Sequence, residues 1–382
     1  MAEPSGSPVL AQFQAGMAGR LPAILRRTAE LVAIDSGSYD AAGVNRVTDL
    51  VAADLAALGF AVTRSPLAGR GDRMAARLRP GARPVVLVLG HSDTVWPAGT
   101  AAEWPCTYEG EAQLTGPGAG DMKCALVMAL HAIALAAPAF RGEIRFALVP
   151  EEELGSPGSR DWIEGQAVGA DLCLALEAGK PEGGVIAARG AVGAMIVEAY
   201  GRTAHCTEPG GASALRALAP LVGTLESLTD PVEGTQCSVG VLCAGTARQV
   251  VPDHGELHLD LRAPSTAAGE LLAARVREAV AAVDVPGVRT AVTGGVTRPA
   301  FPASASEQPA RLAAELLAAA GRPLRTVTER GGSDASFVAA RGVPTLDGLG
   351  PVCFDSCSRR ESVDIASIAE RGALLAGLIA GA

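Results

Sequence analysis

At 382 residues the chain is too long for one ordinary core, and 48% hydrophobic with 19% charged residues is a globular composition, so two domains are expected. A net charge of −9 argues against nucleic acid and against an anionic membrane surface, both of which need a basic face. The opening stretch MAEPSGSPVLAQFQAG lacks a basic region followed by an apolar one, no apolar run reaches bilayer length, and eight scattered cysteines do not form a disulfide framework. A reduced, cytoplasmic protein is the expectation.

In chain order, RLPAILRRTAELVAI and NRVTDLVAADLAALGF carry apolar residues at helical spacing. AVTRSPL reads as a strand. The run Val85–Gly90 is apolar at consecutive positions, which suits a strand buried on both faces. MKCALVMALHAIALAA is a helix, GEIRFALV a second buried strand, GSRDWIEGQA a short helix and ADLCLALE a further strand. Strand alternating with helix predicts an α/β sheet flanked by helices.

Near Arg189 the pattern changes. AVGAMIVEAYG and HGELHLDLRAP alternate with period two, as half-exposed antiparallel strands do, and the amphipathic helices GASALRALAPLVGTLESL and AAGELLAARVREAVAAV lie among them. After TRPAF the α/β style resumes. The expected organisation is a discontinuous first domain, 1–188 and 300–382, carrying an inserted α+β domain, 189–299.

Polar residues gather where the buried strands end, the place where open α/β sheets put ligands. GHSDTV supplies His91 and Asp93, two residues apart, so that the carboxylate can orient the imidazole. GPGAGDMK puts Asp121 where a helix is predicted to begin, as an N-cap or as a group facing a cleft. PEEELGS follows a strand with Glu151, Glu152 and Glu153, adjacent carboxylates that repel unless a cation neutralises them. CLALEAG ends another strand with Glu177. Such a nitrogen-and-oxygen set suits zinc, with cobalt or manganese as alternatives, and one carboxylate can bridge two ions.

On these motifs the chain resembles the dinuclear zinc carboxypeptidase and aminoacylase family, and in pattern its glutamate carboxypeptidase branch, over nearly its whole length. The resemblance implies a zinc-peptidase-type catalytic domain with a mixed sheet flanked by helices, and an inserted lid that forms a homodimer. It implies His91, Asp121, Glu153 and Glu177 as ligands of two ions, Asp93 as the residue orienting His91, and Glu152 as general base. It further implies that His205, in GRTAHC, stabilises the oxyanion in a partner's site, and that Arg298, in TRPAF, holds a substrate carboxylate. Gln249 stands where the family often has a substrate-binding asparagine.

One motif departs from that pattern. Aligning DSCSRRESV on Ser358, Glu361 and Val363 puts Cys357 where the family has its last histidine ligand, and no histidine follows His258. Cys357 can be a thiolate ligand, a sign that one metal site is weak or empty, a nucleophile, or half of a disulfide with Cys353. Asp355 and Cys353 are alternative ligands there. The expected activity is metal-dependent hydrolysis of an amide in an N-acyl amino acid, a dipeptide or a C-terminal residue with a free carboxylate. The alternatives are a repurposed enzyme of specialised biosynthesis, forming amides or transferring acyl groups through Cys357, and a degenerate homologue that binds without hydrolysis.

Overall fold

A computed structural model describes residues 7–110 and 112–382. The chain divides into two units. One takes the chain to Ala188 with Pro302–Thr328 and Ser333–Ala382; the other is Arg189–Phe301 with Glu329–Gly332. The second unit thus runs two residues past the expected 299 and recovers a short later segment. Backbone pairing gives the reason. Arg189 and Phe301 exchange two N–H···O bonds of 2.9 Å, and the Gly190 N–H donates to the Glu329 carbonyl at 3.0 Å.

The first unit is built on a six-stranded mixed sheet. Its order is Ala61–Ser65, Arg73–Leu78, Glu143–Val149, Val85–His91, Leu172–Ala175 and Thr345–Leu346. The first two strands run antiparallel to their neighbours and the other four are mutually parallel. Every residue of Val85–His91 is buried, as the uninterrupted apolar run predicts. Val86, Leu87 and Val88 each contribute about 1.5–3 kcal/mol through that burial. The helices Ser7–Val32, Cys124–Ala136 and Ile365–Ala380 pack on one another and share one hydrophobic core with the sheet. Cys124–Ala136 is rich in alanine and leucine, strong helix formers, and most of its residues are buried. The segment Ala119–Ala136 is apolar enough over 18 residues to compare with a membrane span, but it is mostly core.

The second unit is a four-stranded antiparallel sheet ordered Gln236–Ala244, His254–Ala263, Ala191–Tyr200 and Arg289–Arg298. Burial alternates along Ala191–Tyr200 and His254–Ala263, and the buried face packs with the helices Ala214–Glu226 and Thr266–Ala281. Two of these strands, Gln236–Ala244 and Arg289–Arg298, lie at the sheet edges and were not legible as strands in the sequence.

Candidate metal centre

The parallel strands of the first unit end side by side. His91 is in register with Val149, and Leu89 with Ala175. His91, the turn after Val149 and Glu177 therefore emerge at one edge of the sheet. The His91 ring is 1% exposed, and its Nδ1 lies 3.0 Å from the Asp93 carbonyl oxygen and 3.4 Å from Asp93 Oδ1. Both neighbours are acceptors, so Nδ1 carries a proton and Nε2 is the nitrogen left to face the cleft. That Nε2 faces Asp121 Oδ1 at 3.1 Å. Two acceptors approach so closely only with a proton or a cation between them.

Asp93 uses both of its carboxylate oxygens within the protein. The Ser38 hydroxyl donates to Oδ2 at 2.6 Å, the Glu152 N–H to Oδ1 at 3.0 Å and the Glu153 N–H to Oδ2 at 3.2 Å. One buried residue thus holds both, the imidazole through its carbonyl oxygen and the glutamate turn through its carboxylate.

Asp121 is not a helix cap. The helix begins only at Cys124, and Asp121 sits in a non-helical turn (φ −124°, ψ 89°) ahead of it. Gly118, in the left-handed region at φ +71°, opens this turn, and a Cβ there would strike the Thr94 side chain. So the carboxylate faces inward, with Ser356 donating its hydroxyl to Oδ2 at 3.0 Å. Burial alone would raise the Asp121 pKa; the bond to His91 and its charge, with Ser356 and Cys357, hold it below the ordinary range.

The three consecutive glutamates divide their tasks. Glu151 turns into the protein, accepting from the Gly158 N–H at 2.7 Å and the Ser159 hydroxyl at 3.0 Å. Glu152 and Glu153 turn toward His91. Potential ligand atoms of His91, Asp121 and Glu153 lie within 4.8 Å of one another, as do those of His91, Glu152 and Glu177. Burial, then the neighbouring carboxylates, pushes Glu153 up to about 10 and Glu177 well above the usual carboxylate range. This donor set, one imidazole and four carboxylates drawn from separate loops, fits divalent cations: they would neutralise the crowding and fill the space between His91 Nε2 and Asp121.

Cys357 reaches the same place from the last loop. Its backbone is left-handed (φ 60°), and its Sγ lies 3.6 Å from Asp121 Oδ2, whereas His91 faces Oδ1. It belongs to neither of the two ligand groupings above. Burial, followed by Asp121 and Glu153, raises the thiol far above its ordinary range. Cys353 and Cys357 are both free thiols, which removes the disulfide reading, and Cys124 is a core residue.

The loop is held by Glu361, which the sequence motif marks only as an alignment anchor. Its Oε1 accepts from the Gly120 N–H at 2.8 Å and the Asp121 N–H at 3.3 Å, and its Oε2 from the Cys357 N–H at 3.2 Å. Ser38 and Ser356 carry no signal in the sequence either, since a lone serine forms no pattern.

The remaining candidates lie in the second unit. His205 and Gln249 stand on neighbouring segments: His205 bridges to Val250, and the Cys206 N–H donates to the Gln249 carbonyl at 2.9 Å. His205 is exposed, with Nδ1 at 2.7 Å from the Thr207 hydroxyl. Arg298 is largely buried and runs along Gly332, where a Cβ would come within 2.6 Å of its guanidinium.

A mixed α/β sheet whose parallel strand ends converge on an imidazole and several carboxylates defines a class, the metallo-hydrolases. The profile of Peptidase family M20/M25/M40 matches residues 87–381. Carboxypeptidase G2 from Pseudomonas sp. (strain RS-16) is 30% identical over 375 residues, covering 94% of this chain and 89% of that protein. A succinyl-diaminopimelate desuccinylase from Rhodospirillum rubrum is 31% identical over 262 residues, 60% of this chain and 66% of that one. Among solved structures, a tripeptidase from Staphylococcus aureus superposes with a TM-score of 0.76 at 20% identity, covering 95% of this chain and 99% of that one. An M20 family metallo-carboxypeptidase from Sulfolobus solfataricus gives 0.74 at 17%, with 94% and 98% covered. The chain belongs to the M20/M25/M40 peptidase family. It is a metal-dependent enzyme that hydrolyses amide bonds in peptide-like substrates, in a family whose ion is typically zinc.

Proposed function

We propose that this enzyme cleaves the amide of an N-acyl amino acid, a dipeptide or a C-terminal residue, and that the leaving amino acid bears a free carboxylate. His91, Asp121, Glu153, Glu177 and Cys357 hold two zinc ions in this reading, with cobalt or manganese as substitutes. Bound there, the ions would supply Lewis acidity to the scissile carbonyl and acidify the attacking water.

Glu152 takes the proton of that water and passes it to the leaving amine. The observation that carries this assignment is its anchoring: the Glu152 N–H is tied to Asp93, the same residue that fixes the His91 ring. Base and ligand are thereby positioned by one residue, Glu152 through the Asp93 carboxylate and His91 through the Asp93 carbonyl oxygen. Asp93 faces Nδ1 of His91 with its carbonyl oxygen, an acceptor that keeps a proton on that nitrogen. In the second unit, Arg298 holds the substrate carboxylate with its fork of donors, Gln249 adds a hydrogen bond, and His205 stabilises the oxyanion in the site of a partner subunit. The homodimer forms through the second unit, whose edge strand Gln236–Ala244 leaves Val241 and Leu242 exposed. Eight free cysteines fit a reducing, cytoplasmic setting.

The test is a screen of N-acyl amino acids and dipeptides with zinc-, cobalt- and manganese-loaded protein, alongside the same compounds with their carboxylate capped as the amide. Turnover of the free acids, lost on capping, is expected. Equal turnover of capped and free compounds would remove Arg298 from its role, and no turnover of any compound would remove the reading itself.

A further inference from the structure

Beside the metal centre the first unit carries a cavity of about 480 Å³, within the range that takes a small organic ligand. Two loops form it, 37–40 and 94–98, and they are fastened to each other. Gly37 pairs with Thr94, and a Cβ at Gly37 would collide with the Trp96 carbonyl oxygen, so only glycine permits this approach. The Thr94 N–H donates to the Ser36 carbonyl at 2.8 Å, and Asp35 accepts from the N–H groups of Gly99 and Ala101 at 2.7 and 2.8 Å. Glu153 and Leu154 complete the wall, so the cavity opens on a residue of the metal centre. Ser38, bonded to Asp93, ties the two together from beneath.

The lining is mostly apolar and partly aromatic, with Tyr39, Val95, Trp96 and Pro97 among its members. Tyr39 is 75% exposed and Val95 45%, an apolar exposure that no packing within the unit accounts for. The Tyr39 and Trp96 rings are braced by residues outside the lining. The Arg70 guanidinium lies 4.5 Å from the Tyr39 ring centre, Trp104 meets Trp96 edge-on at 5.3 Å, and Arg359 lies 5.4 Å from Trp96. Among the described residues, the charged groups that line the cavity are Asp40 and Glu153, with no lysine or arginine. An uncharged apolar acyl group matches this lining, which offers no cationic side chain to hold the carboxylate of a leaving amino acid.

We infer that this cavity receives the acyl side of the substrate, and that the acyl group is bulky and apolar, aryl or branched alkyl rather than acetyl. This deepens the proposed amide hydrolysis and rests on it. The experiment measures kcat/KM for the N-acetyl, N-isovaleryl and N-benzoyl forms of one amino acid with the zinc-loaded protein and with the variants Tyr39→Ala and Ala98→Trp. Both substitutions fall at loop positions away from the core. The benzoyl-to-acetyl ratio should be about tenfold or more in the parent, on the scale at which an apolar pocket discriminates by size, and should fall by about fivefold or more in each variant. A ratio near one in the parent, or an unchanged ratio in both variants, overturns the assignment. A second arm needs no turnover: the calorimetric affinities of 1-naphthoate and acetate for the same zinc-loaded proteins. Naphthoate should bind at least about tenfold tighter and lose that advantage in Ala98→Trp; equal affinities overturn the cavity's role. If no amide is cleaved while naphthoate behaves as described, the hydrolytic reading fails and the cavity stands.

Discussion

At the residue scale, Asp93 and Cys357 show two ways a side chain can serve a metal site. Asp93 accepts three hydrogen bonds and orients an imidazole, so its charge acts through others. Asp93→Asn keeps the shape but sets an amide N–H₂ against backbone donors. Zinc affinity should fall by about 10–100-fold in a competitive chelator titration. Glu152→Gln should instead leave zinc content intact while kcat drops by about 10²–10⁴-fold; a parallel loss of zinc would make Glu152 a ligand rather than the base. For Cys357, the cobalt-loaded protein should show a sulfur-to-cobalt charge-transfer band that vanishes in Cys357→Ser, and Cys357→His should still bind two ions. A missing band with unchanged metal content would show that the thiol is not a ligand. Much of this was visible in the order of the motifs, because His91, Asp93, Glu152 and Glu153 lie at the ends of strands whose apolar runs are plain. Glu361, Ser38 and Ser356 were not, because their significance comes from partners far away in the chain.

At the element scale, the centre depends on loops held in unusual conformations. The turn around Asp121 packs so tightly on the last loop that a Cβ on Gly120 would overlap Cys353 Sγ. Gly120→Ala should therefore cost about 1–3 kcal/mol, read as a shifted urea midpoint with an unchanged slope. Glu361→Gln should separate the same two loops, because one of its oxygens, each accepting backbone N–H groups, becomes a donor. We expect loss of one bound ion by elemental analysis while the fold, followed by far-ultraviolet circular dichroism, persists. Long elements were legible: Val85–His91 from its unbroken apolar run, His254–Ala263 from its alternation. The strands Thr107–Glu109, Gln113–Thr115, Cys353–Phe354 and Ser362–Asp364 have two or three residues each, too few for any period to show. They pair into one small sheet that carries the Cys357 loop between its last two members.

At the scale of the whole molecule, the proposed mechanism requires two subunits for one site. Mixing the inactive variants Glu152→Gln and His205→Ala under conditions of subunit exchange should restore up to one active site per hybrid dimer, because one half then contains an intact Glu152 served by its partner's histidine. No recovery in hybrids confirmed by native mass spectrometry would place His205 in its own subunit's chemistry or outside it. Chelation should lower the melting temperature by several degrees, and zinc should restore it: ions bound only by the folded state add about 3–4 kcal/mol at 100 to 1,000 times their dissociation constant.

The sequence by itself determined the class of fold and the types of donor at the strand ends, because hydrophobic periodicity and short motifs are local properties of the chain. It left open whether Asp121 caps a helix, which of three adjacent glutamates turns inward, and what holds Cys357 in place. Only the tertiary structure decided these, since each depends on groups brought together by folding: a glycine turn against Thr94, two N–H groups on Asp93, and three N–H groups on Glu361.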